Sequence, residues 1–383
     1  MKRIPVTVMD VWRALDDHFP FAHREEWDNV GILLGDPGAS VRSILIALTA
    51  TPAVLSALKG RPSGLLVTHH PVVFSPLKAV RPDHPAASAA FELLRMGVPA
   101  ISAHTNADAA PRGVSHVMAR RLGLAKIRPL IPGEPSADSC KIVVFVPAAH
   151  ADAVLSAADS AGGARIGGYA RCSFRSGGTG TFRGASWTAP FAGAPGREER
   201  VEEVRLETVA AGSLLPRVLR AIRESHPYEE PAIDVIPLRG GALGGGIGAV
   251  GDLPAPVSLG AALDAVRRRL RPAWIKAAGP RRKTVRRVAI VGGSGAEFLR
   301  AARESGADLF VTGDVKYHQA LEAEGAGLPV ADIGHASGER WILPEFRRIL
   351  QERFRGSVAI RVMNETEPLR IIPPRGSRGG ITP

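Results

Sequence analysis

Cysteine is nearly absent from this 383-residue chain, which contains only Cys140 and Cys172. Two such residues build neither a disulfide scaffold nor a cysteine-rich zinc site, and they suit a reducing compartment. Aromatic residues make up 5% of the sequence, so the cores must be filled by Ala, Val, Leu and Ile. No stretch approaches the ~18 consecutive apolar residues of a membrane span. Behind Lys2 and Arg3 the opening residues lack a sustained apolar core, so no signal peptide is expected and the chain reads as cytoplasmic. Acidic residues are in deficit, 37 against 49 basic, for a net charge of +12. Much of the excess lies between Arg267 and Arg287, including Arg282 and Lys283. Either an anionic partner or a solvated helix face would explain such a stretch. Only Trp274 interleaves with it, so nucleic acid is not the expected partner.

Against these absences stands one concentrated feature, Leu65-Leu66-Val67-Thr68-His69-His70-Pro71. Three apolar residues in a row read as a buried strand. Neighbouring side chains on a regular strand point to opposite faces, but Pro71 biases His70 toward an extended or turn conformation and tends to end regular pairing. The kinked end of the strand can then turn both imidazoles into one cavity, at the strand end where open α/β sheets place their ligands.

Two further apolar strands end in polar clusters. Val98 to Ala103 leads into His104-Thr105-Asn106-Ala107-Asp108. Asp108 fits two roles, a ligand for a hard divalent ion or the N-cap of a helix from Pro111 to Leu122. Val330 to Ile333 leads into Gly334-His335-Ala336-Ser337-Gly338-Glu339, where His335 and Glu339, four apart at a helix start, face one spot. His69, His70, Asp108, His335 and Glu339 together are five N/O ligands converging from three strand ends. Imidazole with carboxylate suits zinc, iron, manganese or cobalt.

Length suggests two or three domains. Strands alternating with helices predict a parallel, layered α/β domain, with the motif Thr51-Pro52 capping an early helix. After Leu124 the composition shifts, and Pro132-Gly133-Glu134-Pro135-Ser136 reads as a linker. Lys141 to Leu238 then shows strand, helix, strand, strand, helix, strand, a ferredoxin-like order. Gly178 to Phe182 is expected to carry tight turns or a strand. His226-Pro227-Tyr228-Glu229-Glu230 reads as a metal site or a rigid turn, and the two prolines that bracket it favour the turn. Gly240 to Gly251 looks like a return linker. Gly292-Gly293-Ser294-Gly295, at a strand-to-helix turn, is either a phosphate cradle or a tight turn; it lacks the full phosphate-binding fingerprints. The expected organisation is residues 1–128 and 250–383 as two halves of one α/β domain, split by an insert at 138–240.

Five segments resemble the Nif-three-like dinuclear metal centre family, whose members are commonly named GTP cyclohydrolase 1 type 2 homologues. They are Trp27-Asp28-Asn29-Val30-Gly31, Thr68-His69-His70-Pro71, Ser102-Ala103-His104-Thr105-Asn106-x-Asp108, Thr312-Gly313-Asp314-Val315-Lys316-Tyr317-His318 and Gly334-His335-x-x-x-Glu339. The resemblance keeps motif order and spans nearly the whole chain. The middle segment is similar to the insert of the family's longer members, itself similar to trimeric PII- and CutA-type modules.

The resemblance implies a split α/β domain holding two divalent ions, with His69, His70, Asp108, His335 and Glu339 as ligands and Glu339 bridging. It places His104 beside the site as a proton carrier or supporting partner, and His318 is a second candidate for proton transfer. It implies a homohexamer of stacked trimers and a hydrolase in which a water held by the ions attacks a nucleotide, with GTP ring opening and formate release as the named reaction. Lys316 and the arginine-rich stretch would hold phosphates. A phosphoesterase or nucleotidase, or a metal-binding regulatory scaffold without turnover, would use the same ligands. Two positions depart from the pattern. Thr49 stands where the family usually has Asp, and Gly338 stands where it usually has Ser or Thr. Losing a carboxylate beside a ligand lowers metal affinity by roughly ten- to hundredfold in comparable sites.

Overall fold

The computed structural model describes residues 5–60, 63–133, 139–166, 169–238, 245–281 and 284–372. Glu134 to Ser136 of the expected linker, Gly240 to Gly244 of the return linker, and Arg282 and Lys283 lie outside the described residues. The chain forms two units, one from Met1–Gly133 with Gly244–Pro383 and one from Glu134–Leu243.

The larger unit contains two large sheets and a two-stranded one that pairs Gly246–Ile247 with Ile131–Pro132. The first runs in the order Gly31–Leu34, Ala100–Ser102, Gly64–Thr68, Ser43–Ala47, Ala359–Val362. Its last four strands are parallel, and Gly31–Leu34 is an antiparallel edge on Ala100–Ser102. The second runs Lys276–Ala278, Val330–Asp332, Leu309–Gly313, Val285–Ser294, Ala249–Val257, Ala125–Arg128. Only its three middle strands are parallel. The parallel layered expectation therefore holds for the first sheet up to its Gly31–Leu34 edge and, in the second, only for the three strands Val330–Asp332, Leu309–Gly313 and Val285–Ser294.

Strand alternation sorts the core. Leu65 and Val67 face a shared interior with Val288, Ile290 and Val311 of the second sheet, filled by Val11, Leu15, Met118, Val266 and Phe346 from helices of both chain halves. Leu66 faces the other way, onto Val54, Leu58 and Leu93. Phe19 meets Phe346 edge-on at 5.3 Å, tying the start of the chain to its last helix. The apolar fill is mainly aliphatic, as the shortage of aromatics requires. Thr51 caps helix Pro52–Leu58 by accepting from the Val54 amide, with Pro52 in the first turn, as expected.

The smaller unit has strands in the order Ile233–Pro237, Ser139–Pro147, Glu198–Ala211, Ser173–Arg183, all antiparallel. Helices Ala151–Ser160 and Leu215–Ser225 supply Val154, Leu155, Val218 and Ile222 to its core. The glycine-rich stretch around Gly178 is an extended strand on the sheet edge. In the His226 motif both ring nitrogens are used: Nε2–H donates to the Phe145 carbonyl (3.0 Å) and Nδ1 accepts from the Tyr228 amide (3.0 Å). The motif is a rigid turn.

Candidate metal centre

Three strand ends of the larger unit meet at one point. Strand Gly64–Thr68 stops before Pro71, and the imidazoles of His69 and His70 then lie 5.2 Å apart instead of on opposite faces. Strand Ala100–Ser102 delivers His104 and the short helix Thr105–Ala109, which carries Asp108. The helix Val114–Leu122 begins later than expected and is capped by Gly113 without a side-chain bond, so Asp108 is not its cap. Strand Val330–Asp332 delivers helix His335–Glu339.

Glu339 is the hub. Its carboxylate lies 2.8 Å from His70 Nε2, 3.0 Å from His335 Nε2 and 3.8 Å from His69 Nε2. Asp108 lies 3.8 Å from His69 Nε2 on the other side. All four histidines share one arrangement. His69 Nδ1 meets the Ala103 carbonyl at 2.8 Å, His70 Nδ1 the Thr49 hydroxyl at 2.7 Å, His104 Nδ1 the Asp28 carboxylate at 3.0 Å, and His335 Nδ1 the Asp314 carboxylate at 2.7 Å. A carbonyl or carboxylate partner assigns the proton to Nδ1, which leaves the Nε2 lone pair for the cluster. Asp314 holds a left-handed backbone (φ 56°), an uncommon conformation for a residue with a side chain.

The electrostatics follow from this packing. Burial disfavours charge on His69, but Asp108 and Glu339 outweigh it and raise its pKa to about 9. The hydrogen bond to Glu339 lifts His335 against burial, with help from Asp314, to about 10. Burial pushes Glu339 up, yet three imidazoles hold it well below the usual carboxylate range. Burial raises Asp108, with His69 opposing. Burial would also raise Asp28, but hydrogen bonds from His104 and Thr105 bring it down to about 2.

The donor set fits a divalent metal ion. Among the described residues, His69 Nε2 is fully buried with no hydrogen-bond partner, an arrangement that is costly unless something else meets it. His70 Nε2 and His335 Nε2 face each other at 3.3 Å, so at most one can carry the proton between them. His70, His335 and Glu339 form one group whose ligand atoms lie within 4.8 Å of one another; His69, His70 and His104 form another.

The remaining expectations sort clearly. His104 lies among the converging imidazoles. His318 is exposed on helix Tyr317–Ala326, and its ring contact is with Tyr317. The Gly292 and Gly295 amides are taken by the Ser115 and Thr312 hydroxyls, and Gly292 to Ser294 are the irregular end of strand Val285–Ser294, where the chain turns closely into the next helix. A Cβ on Gly293 would sit 2.1 Å from Glu339 Oε1. A Cβ on Gly338 would stand 3.2 Å from the Gly293 nitrogen, so the absence of a side chain at 338 keeps that turn close.

Sequence reasoning missed the partners that orient the ligands. Asp28 and Asp314 lay inside the quoted motifs, where a carboxylate near a histidine was the available signal. Glu365 and Glu367 gave no local signal. Glu365 accepts from the amides of Leu48 and Thr49. The buried Glu367 accepts from the Ser337 amide at 3.2 Å, in the first turn of the helix that carries His335 and Glu339.

The Thr49 hydroxyl thus stands at His70 Nδ1, 2.7 Å away, at the position where the family resemblance leads one to expect Asp. Thr49→Val, which keeps the shape and removes the acceptor, is expected to weaken metal affinity roughly tenfold or more, and Thr49→Asp to restore it. Chelator competition on the two variants measures this, and equal affinities in wild type and Thr49→Val would contradict the role.

Residues 6–368 match the model of the Duf34/NIF3 (NGG1p interacting factor 3) family. The "GTP cyclohydrolase 1 type 2 homolog" of Mycobacterium tuberculosis is 35% identical over 360 residues, covering 93% of this chain and 94% of that one. The Bacillus subtilis protein of the same name is 34% identical over 330 residues, covering 86% and 88%. Among solved structures, a Bacillus cereus protein related to NIF3 superposes with a TM-score of 0.86 at 33% identity, covering 96% of this chain and all of the other. By its motifs, its fold and this near full-length similarity, the chain belongs to the Duf34/NIF3 family.

Proposed function

We propose that His69, His70, Asp108, His335 and Glu339 would hold two divalent ions, and that the protein is a metal-dependent hydrolase of a nucleotide. The observation that carries this reading is the common orientation of His69, His70, His104 and His335, each tied at Nδ1 and free to present Nε2 to the cluster. When bound, the ions supply Lewis acidity and lower the pKa of a water at the reacting centre. The protein's own part is to orient and to move protons. His69, His70, Asp108, His335 and Glu339 fix the donor geometry. His104 accepts a proton at Nε2, and Asp28 stabilises the imidazolium that results. This role falls to His104 rather than to the exposed His318.

The names of the relatives make GTP the first substrate to test. Metal-loaded protein is expected to consume GTP and release formate, with the activity lost on chelation. Phosphate release without formate would assign phosphoester hydrolysis instead, and full metal content without either product would leave a metal-binding scaffold. The strand order of the smaller unit supports reading it as a ferredoxin-like insert of the PII and CutA kind. With it goes a homohexamer, which light scattering would show as six chain masses.

A further inference from the structure

Beside the metal centre stands a pair of aromatic side chains that the core does not use. Trp27 is 61% exposed and Phe74 53% exposed, in a chain with only 5% aromatic residues. Their ring centroids are 5.9 Å apart, tilted by 56°. Both meet His104 edge-on, Trp27 at 6.3 Å and Phe74 at 6.4 Å. The His104 ring in turn lies 5.2 Å from that of His69 and 5.7 Å from that of His70. The aromatic pair is therefore continuous with the cluster.

The backbone beneath the pair is anchored. Asp28, next to Trp27, is buried and bonded to His104 and Thr105. The Glu25 amide donates to the Thr105 hydroxyl at 3.0 Å. Asn29 Nδ2 donates to the Val73 carbonyl at 2.6 Å, locking the two loops together. Val72 is buried in the core while Phe74, two residues on, points out. Two large apolar rings held in water by fixed loops cost free energy unless something covers them.

We propose that Trp27 and Phe74 form a stacking clamp for the planar heteroaromatic ring of a nucleoside substrate, placing that ring beside His104. The inference rests on the hydrolase reading above and deepens it, since it assigns recognition at this rim to the ring of the substrate and not to its phosphates. Aromatic side chains stack on any nucleobase and tolerate its identity, so the clamp selects for a ring and leaves the choice of base to other groups.

The test uses metal-loaded full-length protein, with guanosine as a probe that has a ring but no phosphate and ribose 5-phosphate as one that has phosphate but no ring. Calorimetry is expected to show guanosine binding and much weaker ribose 5-phosphate binding. Trp27→Ala and Phe74→Ala should each weaken guanosine binding by about tenfold, with metal content unchanged, and Trp27→Phe should restore most of it. Guanosine should also quench tryptophan emission in wild type, and much less in Trp27→Phe. The clamp is overturned if wild type does not bind guanosine, if both alanine variants bind it as well as wild type, or if either changes the oligomeric mass, which would make the pair a contact between chains. Guanosine binding through the pair without any hydrolysis refutes the hydrolase reading alone. Unchanged KM for GTP in both alanine variants refutes the clamp alone.

Discussion

Affinity for a divalent ion is expected to fall by about a hundredfold for each unit of pH below about 9, because two protons must leave for metal to enter. His69 and His335 have pKa values of about 9 and about 10 in the metal-free protein, so both are protonated at neutral pH, while a ligand imidazole must be neutral. Chelator competition with zinc at pH 6.5, 7.0 and 7.5 would give a slope near two on a log–log plot. A slope near zero would mean that metal binding leaves these protons in place.

The same groups set the stability of the metal-free protein. His69 and His335 are raised above their unfolded value, so their contribution is complete below about pH 6.5 and is lost as pH climbs through about 9 to 10. For the fully buried His69, the rise from 6.5 to about 9 corresponds to about 3 kcal/mol. Much of that is the mutual attraction with Asp108 and Glu339 and is counted once. Glu339 is depressed, so its contribution is present above its ordinary value near 4.5 and is lost as pH falls through its much lower folded value. Thermal melting of chelated protein should therefore be most stable between roughly pH 5 and 7. Metal loading should move the optimum to higher pH, because metal replaces the protons.

Gly293→Ala is expected to cost the site about a hundredfold in metal affinity while leaving the sheets intact, since a displaced Glu339 loses its contacts with His70 and His335 together. Gly293 has φ 65°, and an added Cβ would lie 2.1 Å from Glu339 Oε1. A flexible carboxylate in solvent would swing aside. This one is buried, bonded to His70 and His335 and faced by His69 at 3.8 Å, with Gly313 and Gly334 packed close behind the turn. The left-handed backbone adds about 1 kcal/mol of strain. Far-ultraviolet circular dichroism should match wild type while chelator competition shows the loss. Undiminished metal affinity would show that Glu339 has room to move.

The ligands were legible because each set is local. His69-His70-Pro71, His104 with Asp108, and His335 with Glu339 sit within five residues at the ends of apolar strands, so strand pattern and ligand chemistry coincide in the sequence. Their supports are not local. Thr49 reaches His70 across 21 positions, the Ala103 carbonyl reaches His69 across 34, and Asp28 reaches His104 across 76. Glu365 joins Leu48 from 317 residues away. Such pairings depend on which strands become neighbours, and Ala359–Val362 completes the first sheet from the far end of the chain. The Gly292-to-Gly295 turn shows the same difficulty. Its composition suits phosphate binding and close packing equally well, and the occupied Gly292 and Gly295 amides with the approach of Glu339 show which one the glycines serve. The antiparallel edges also went unseen, because the short runs Gly31–Leu34 and Ala125–Arg128 carry no directional signal.

The most direct test of the metal centre is elemental analysis of metal per chain, on wild type and Glu339→Ala purified without chelator. Two ions per chain in wild type, lost together in the variant, is the predicted result. One ion or none in wild type, or two ions retained by Glu339→Ala, would contradict a carboxylate-bridged pair.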